Sequence, residues 1–165
     1  MSVGRRSVWT STTPESFAEV RIVVASDHAG VELRLAMAEE AAELGHEVVD
    51  LGPAPGEPID YPINGAKVGR LVASGDFDRG LLVCGTGVGI SIAANKIAGV
   101  RAVVCSEPYS AIMSRAHNDA NVLALGARVV GDGLARQIVR EWLATDFEGG
   151  RHARRVELIS ELDHS

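Results

Sequence analysis

Aromatic residues are scarce in this chain of 165: three Phe, two Trp and two Tyr. Its core must therefore be built from Ala, Val, Ile and Leu rather than from large rings. Cysteine is nearly absent as well. Cys84 and Cys105 are the only two, too few for the disulfide framework of a small secreted domain, and they point to the cytoplasm. No apolar run approaches the roughly 20 residues of a membrane span. Arg5 and Arg6 are not followed by the apolar segment of a secretory signal. Basic charge is in deficit: 16 Lys and Arg against 22 Asp and Glu leave a net charge of −6. That balance excludes bulk binding to nucleic acid or to an anionic membrane surface. There is no internal repeat and no sign of a second domain. What remains is a chain with 46% apolar residues and 18 glycines, the composition of a one-domain α/β sheet protein.

Residues 1–19 are polar, Ser/Thr-rich and aperiodic, and read as a flexible N-terminal extension with Trp9 and Phe17 available for docking. Residues 20–165 read as a single folded domain. Arg21–Ala25 is a buried-strand run and Val31–Leu44 a helix, with Val31, Leu35, Ala38 and Ala42 on one stripe and Gly45 as its stop. Strands follow at Glu47–Leu51, Gly80–Cys84 and Val100–Cys105, with a last strand region at Val122–Ala124 and Ala127–Val130. Helices are expected at Ile63–Ser74, Ser91–Ile97, Pro108–Ala116, Leu134–Leu143 and Val156–Leu162. Five strands alternating with helices imply a parallel sheet covered on both faces, because parallel strands need crossover connections. Ligands of such sheets bind at the carboxyl ends of the strands. The turns Ser26–Gly30, Cys84–Gly89 and Ser106–Tyr109 fall there.

The strongest local signal is Cys84-Gly-Thr-Gly-Val-Gly-Ile-Ser91 after a buried strand. Alternate glycines let backbone N–H groups approach a ligand, and the following helix adds the positive end of its dipole. Such a loop suits a phosphate, a carboxylate or an enolate oxygen, and its field would lower the pKa of a thiol at the rim. The same glycines also serve a plain strand-to-helix turn, with Cys84 as a small buried hydrophobe. Glu107, 22 positions after Gly85, stands where a ribose-binding acid would, yet the spacing is GxGxG and no Walker lysine is present. Asp27 and His28 follow the first strand and could bind sugar hydroxyls or phosphate, or Asp27 could simply cap a helix. His117-Asn118-Asp119 closes a helix, where a His is also a favourable cap charge. Arg128, Arg151, Arg154 and Arg155 form a late basic group suited to phosphate, or to a solvated helix start. His28, His46, His117, His152 and His164 lack zinc spacing, and His46 and His164 read as surface residues.

Taken together, Asp27–Gly30, Asp60-Tyr-Pro62, Cys84–Lys96, Arg101–Ser110, His117–Asp119, Gly126–Gly131 and Phe147–His152 resemble the ribose-5-phosphate isomerase B family over residues 21–162. The resemblance implies a Rossmann-like α/β/α subunit with a five-stranded parallel sheet. It implies a homodimer, in some relatives a tetramer, with active sites shared between subunits. It implies Cys84 as the base between C1 and C2, and His117 as the acid/base that opens the furanose ring beside Asp27. Gly85, Thr86, Gly87, Val88, Gly89 and Asn118 would bind the reacting end, and His28, Arg128, Arg151 and Arg155 the phosphate. Moving a proton through a cis-enediol(ate) transfers no hydride, so neither cofactor nor metal is expected. Related isomerases act on allose 6-phosphate or erythrulose 4-phosphate. A non-catalytic nucleotide- or sugar-phosphate-binding module is the alternative from another class.

Overall fold

The computed structural model describes residues 18–164, so nearly all of the expected N-terminal extension lies outside the described residues. The strands are β1 (Arg21–Ser26), β2 (Glu47–Asp50), β3 (Arg79–Cys84), β4 (Ala102–Val104) and β5 (Val122–Gly126). The helices are α1 (Val31–Glu43), α2 (Tyr61–Ala73), α3 (Val88–Asn95), α4 (Pro108–Asn118), α5 (Asp132–Leu143) and α6 (Arg151–Glu161), with a final turn of 3-10 helix at Leu162–His164. The strands form one parallel sheet in the order β2-β1-β3-β5-β4. The fold is Rossmann-like, as the family resemblance implies, and its parallel sheet is the one that the alternation of apolar runs implies.

Period-2 alternation along the central strands divides the core. Ile22, Val24, Leu81, Val83, Leu123 and Leu125 face α1, α4 and α5, where Met37 and the fully buried Trp142 fill the layer. Val23, Ala25, Leu82, Cys84, Val122 and Ala124 face α2 and α3, against Val68, Ile90 and Ala94. The strand order reverses between β1 and β3, so the crevice for a ligand opens above those two carboxyl ends.

Several boundaries differ from the sequence reading, each for a local reason. In α1 the buried stripe is Val31, Leu33, Met37 and Ala41, whereas Leu35 is 48% exposed and Ala42 also faces solvent. That helix is apolar on more than one side, and packing against α5 selects the face. Helix α2 begins at Tyr61 because Pro62 sits in its first turn, where a missing N–H costs nothing. Helix α3 begins at Val88, inside the glycine loop. Gly87 turns the chain there with φ +80°, and Thr86 Oγ1 accepts the Val88 N–H at 3.3 Å. Ala127–Val130 is a turn, not a strand, despite its β-branched pair. Its backbone N–H groups are directed to Cys84 O (2.9 Å, from Ala127) and Gly85 O (3.0 Å, from Arg128). Helix α6 starts five residues earlier than expected, at Arg151, after Gly149 and Gly150 at positive φ. His46, expected at the surface, is buried.

Candidate active site

At the carboxyl edge of the sheet, β1 ends on a clamp. Arg34, itself buried, donates from Nη1 to Ser26 Oγ at 2.9 Å and pairs with Asp50 at 3.0 Å. Asn64 Nδ2 donates to Ser26 O at 2.8 Å. Asp27 follows, with its backbone N–H on Val83 O and its Oδ1 accepting from Ala29 N (2.9 Å) and Gly30 N (3.2 Å). Asp27 therefore closes an Asx turn; the helix cap position belongs to Gly30. His28 is exposed beside it, its Nδ1 3.2 Å from Ile59 O. Next to these residues a cleft of about 600 Å³ is lined by His28, Leu35, Pro55, Ala127 and Asp132 among others.

On the neighbouring strand, Cys84 ends β3 and is buried, and the Gly87 N–H donates to its Sγ at 3.1 Å. That donor belongs to the residue that caps α3, so sulfur and helix N-terminus meet. Gly87 must be glycine. Its φ is +80°, and a Cβ there would come within 2.7 Å of Val104 Cγ2 and 2.9 Å of the Leu125 carbonyl carbon. Thr86 and Val88 are exposed on the same turn. Arg128 reaches over the loop, so that a Cβ on Gly85 would lie 3.3 Å from its Nη1. The ring of Tyr61 covers Gly89 in the same way, with Cζ 2.7 Å from a Cβ built there. Tyr61 belongs to the Asp60-Tyr-Pro62 motif, which by itself gives the ring no role.

The remaining site candidates sit elsewhere. Helix α4 leaves the carboxyl end of β4 and runs back along the sheet, so His117 and Asn118 finish at the amino edge. The hydrogen bonds agree: Arg101, the residue before β4, donates from Nε to Asn118 O at 3.1 Å and to Asp119 O at 3.0 Å. Helix α6 also begins at that edge, and Glu148 N donates to Ala116 O at 3.0 Å. Arg151 and Arg155 are exposed on it. Asp27, His28, Cys84–Gly89 and Arg128 thus gather at one edge, and His117, Asn118, Arg151 and Arg155 at the other. A six-residue strand separates them by roughly 15–20 Å.

Two residues at the amino edge were not singled out from sequence. His152 is 5% exposed and stacks on His117 with ring centroids 4.1 Å apart. Glu148 Oε2 lies 3.8 Å from His117 Nε2 and 3.6 Å from His152 Nε2. Both lie in the quoted Phe147–His152 motif, but only contact with α4 shows what they touch. Burial first, then the charges of His117 and Arg151, holds the His152 imidazolium less stable than usual, with Glu148 opposing. Glu107, weighed as a ribose ligand, caps α4 instead: both carboxylate oxygens lie 3.0 Å from Ser110 N, bonds that lower its pKa. Cys105 is buried, and that burial, with Glu107 next, raises its pKa to about 11. Among the described residues, no helix is long and apolar enough to cross a membrane.

Comparison with known proteins gives a consistent result. The profile of the ribose/galactose isomerase family matches residues 22–159. Ribose-5-phosphate isomerase B of Escherichia coli is 54% identical over 143 residues, covering 87% of this chain and 96% of that one. D-erythrulose-4-phosphate isomerase of Pectobacterium atrosepticum is 40% identical, covering 87% and 95%. The structure of Clostridium thermocellum ribose-5-phosphate isomerase B superposes with a TM-score of 0.85 at 53% identity, covering 87% and 97%. That of the Mycoplasma genitalium enzyme with bound ribulose-5-phosphate gives 0.83 at 40% identity, covering 88% and 97%.

Proposed function

Because the chain belongs to the ribose/galactose isomerase family, we propose that it interconverts ribose 5-phosphate and ribulose 5-phosphate through a cis-enediol(ate). Cys84 is the base: it takes the proton from C2 of the open aldose and returns one to C1. The observation that carries this reading is the Gly87 N–H directed at Cys84 Sγ where α3 begins. A donor and a helix N-terminus aimed at sulfur favour the thiolate form that can accept a proton. The neighbouring loop N–H groups are placed to stabilise the oxygen that gains charge in the enediolate, and one such donor is worth about a hundredfold in rate. His117 opens the furanose ring, Asp27 holds the sugar beside it, and Gly85–Gly89 with Asn118 surround the reacting end.

Phosphate recognition falls to His28, Arg128, Arg151 and Arg155. Arg151, Arg154 and Arg155 lie in the first two turns of α6, the end of a helix that disfavours cations. An anion bound there would relieve that conflict. The two halves of this site stand at opposite edges of one sheet, so a working centre needs Cys84 from one copy and His117 from another. The enzyme is accordingly a homo-oligomer, a dimer or a pair of dimers, with shared sites. Residues 20–165 form its single domain, in the cytoplasm, where Cys84 stays reduced.

The test is turnover by purified enzyme on ribose 5-phosphate, with erythrose 4-phosphate alongside. Selective ribulose 5-phosphate formation, lost in Cys84→Ala, is expected. Isomerisation undiminished in that variant would remove Cys84 from the chemistry. A strong tetrose reaction beside a weak pentose one would transfer the mechanism to the substrate for which the Pectobacterium relative is named.

A further inference from the structure

His117 does not stand alone at its edge of the sheet. The buried His152 ring lies 4.1 Å from it, with the two planes 9° from parallel. One carboxylate oxygen, Glu148 Oε2, faces both Nε2 atoms, at 3.8 Å and 3.6 Å. Arg151 Nε donates to His152 Nε2 at 3.4 Å, which makes that nitrogen an acceptor and leaves the proton of the neutral ring on Nδ1.

Two imidazoles and a carboxylate whose donor atoms lie within 4.8 Å are a set that could hold a divalent cation. The ring geometry favours a proton instead. Imidazole lone pairs lie in the ring plane, so stacked parallel rings aim theirs side by side, whereas a shared metal needs them to converge. Arg151 and Arg155 add positive charge that a second cation would have to overcome.

We propose that Glu148 and His152 are positioning residues for His117: the carboxylate and the buried, stacked ring hold its imidazole in one orientation. The inference rests on the ring-opening role given to His117 above. Two imidazolium rings at this separation would repel. His152 is the ring that stays neutral. Burial, His117, Arg151 and Arg155 all act against its charge, and Glu148 alone favours it. His117, with its side chain 35% exposed, is the ring on the open side. In ring opening a proton leaves the anomeric hydroxyl and one arrives at the ring oxygen as the C1–O4 bond breaks. A ring fixed in place with one proton can serve both transfers and end as it began.

The experiment measures two reactions of the full-chain enzyme. One is turnover of ribose 5-phosphate, which is mostly furanose. The other is exchange of a C1 hydrogen of ribulose 5-phosphate with D2O, which needs only the base because that ketose is acyclic. His117→Asn should lose turnover and keep exchange. His152→Ala should lower kcat on ribose 5-phosphate by ~10- to 100-fold with KM nearly unchanged and exchange retained. His152→Phe restores a flat ring for stacking and should recover part of that loss. Glu148→Gln should likewise lower kcat on ribose 5-phosphate, by about tenfold, with KM nearly unchanged and exchange retained. Wild-type kcat in both His152→Ala and Glu148→Gln would overturn the positioning role while leaving that of His117 intact. Exchange that falls together with turnover and thermal stability in both His152 variants would also overturn it, as a purely structural effect. Full turnover in His117→Asn would remove the ring-opening reading itself.

Discussion

The Val20 N–H donates to His46 Nδ1 at 3.4 Å, a bond that requires this nitrogen to be unprotonated. Burial lowers the pKa of His46 below its usual 6.5, against a smaller opposing pull from Glu19. The folded state therefore binds a proton less readily than the unfolded chain. The stability this residue contributes is complete above about pH 6.5 and is lost as pH falls below that value. The melting temperature should drop between pH 7 and pH 5.5. In His46→Gln, whose side-chain oxygen can still accept from Val20, the drop should be smaller. An identical drop in wild type and variant, measured by circular dichroism, would show that other groups carry the acid sensitivity. A sequence offers no way to see this residue correctly. A polar side chain between two short elements is exposed by default, and only the packing of Val20 beside it decides otherwise. Cys84, Asp27 and the glycines were legible for the opposite reason. Alternate glycines after a buried strand are a compositional signal that suits close approach of backbone to a ligand and also serves a strand-to-helix turn.

Helix α6 carries its message in its periodicity. Arg151, Arg155, Leu158, Ile159 and Leu162 recur at helical spacing and share one side, and all are exposed, with Leu162 at 68%. His152, Val156 and Ser160 occupy the adjoining side and are less exposed. Both candidate phosphate ligands thus open a stripe that continues as apolar surface, the pattern of a face covered by another chain. Covering that stripe with a second copy is what would deliver the arginines to a neighbouring site. The double variant Leu158→Glu, Leu162→Glu should dissociate the oligomer in sedimentation velocity and lower activity at least tenfold, although every proposed site residue is intact. An oligomer that survives the two charges with full activity would place the interface elsewhere. The start of α6 at Arg151 escaped the sequence reading because three arginines in two turns oppose the helix dipole. That local conflict fits the phosphate-binding role proposed for this segment, because rules of propensity are expected to fail at functional sites.

At the scale of the molecule, the decisive feature is a sheet whose two edges each hold half of the proposed site. The alternation of apolar runs already gives the number of strands and their parallel direction, and parallel direction alone sends the end of every crossover helix to the amino edge. The separation of His117 from Cys84 was therefore implicit in the order of elements, yet motif matching conceals it, because motifs list residues without saying at which edge they stand. In the proposed two-fold arrangement, each copy would supply the Cys84 half to one centre and the His117 half to the other. Co-expression of Cys84→Ala chains with His117→Asn chains tests this without any structural assumption about the interface. Each pure variant should be inactive on ribose 5-phosphate. Random pairing makes about half of the dimers mixed, and in each of these one centre recovers both Cys84 and His117 while the other loses both. Activity should return to about a quarter of the wild-type value at equal total protein. A mixture as inactive as its parents, with mixed dimers verified by mass spectrometry of differently tagged chains, would mean that both residues serve the same centre from the same chain. The division of the site between edges would then require the chain to refold around its substrate, which a sheet with a fully buried core on each face opposes.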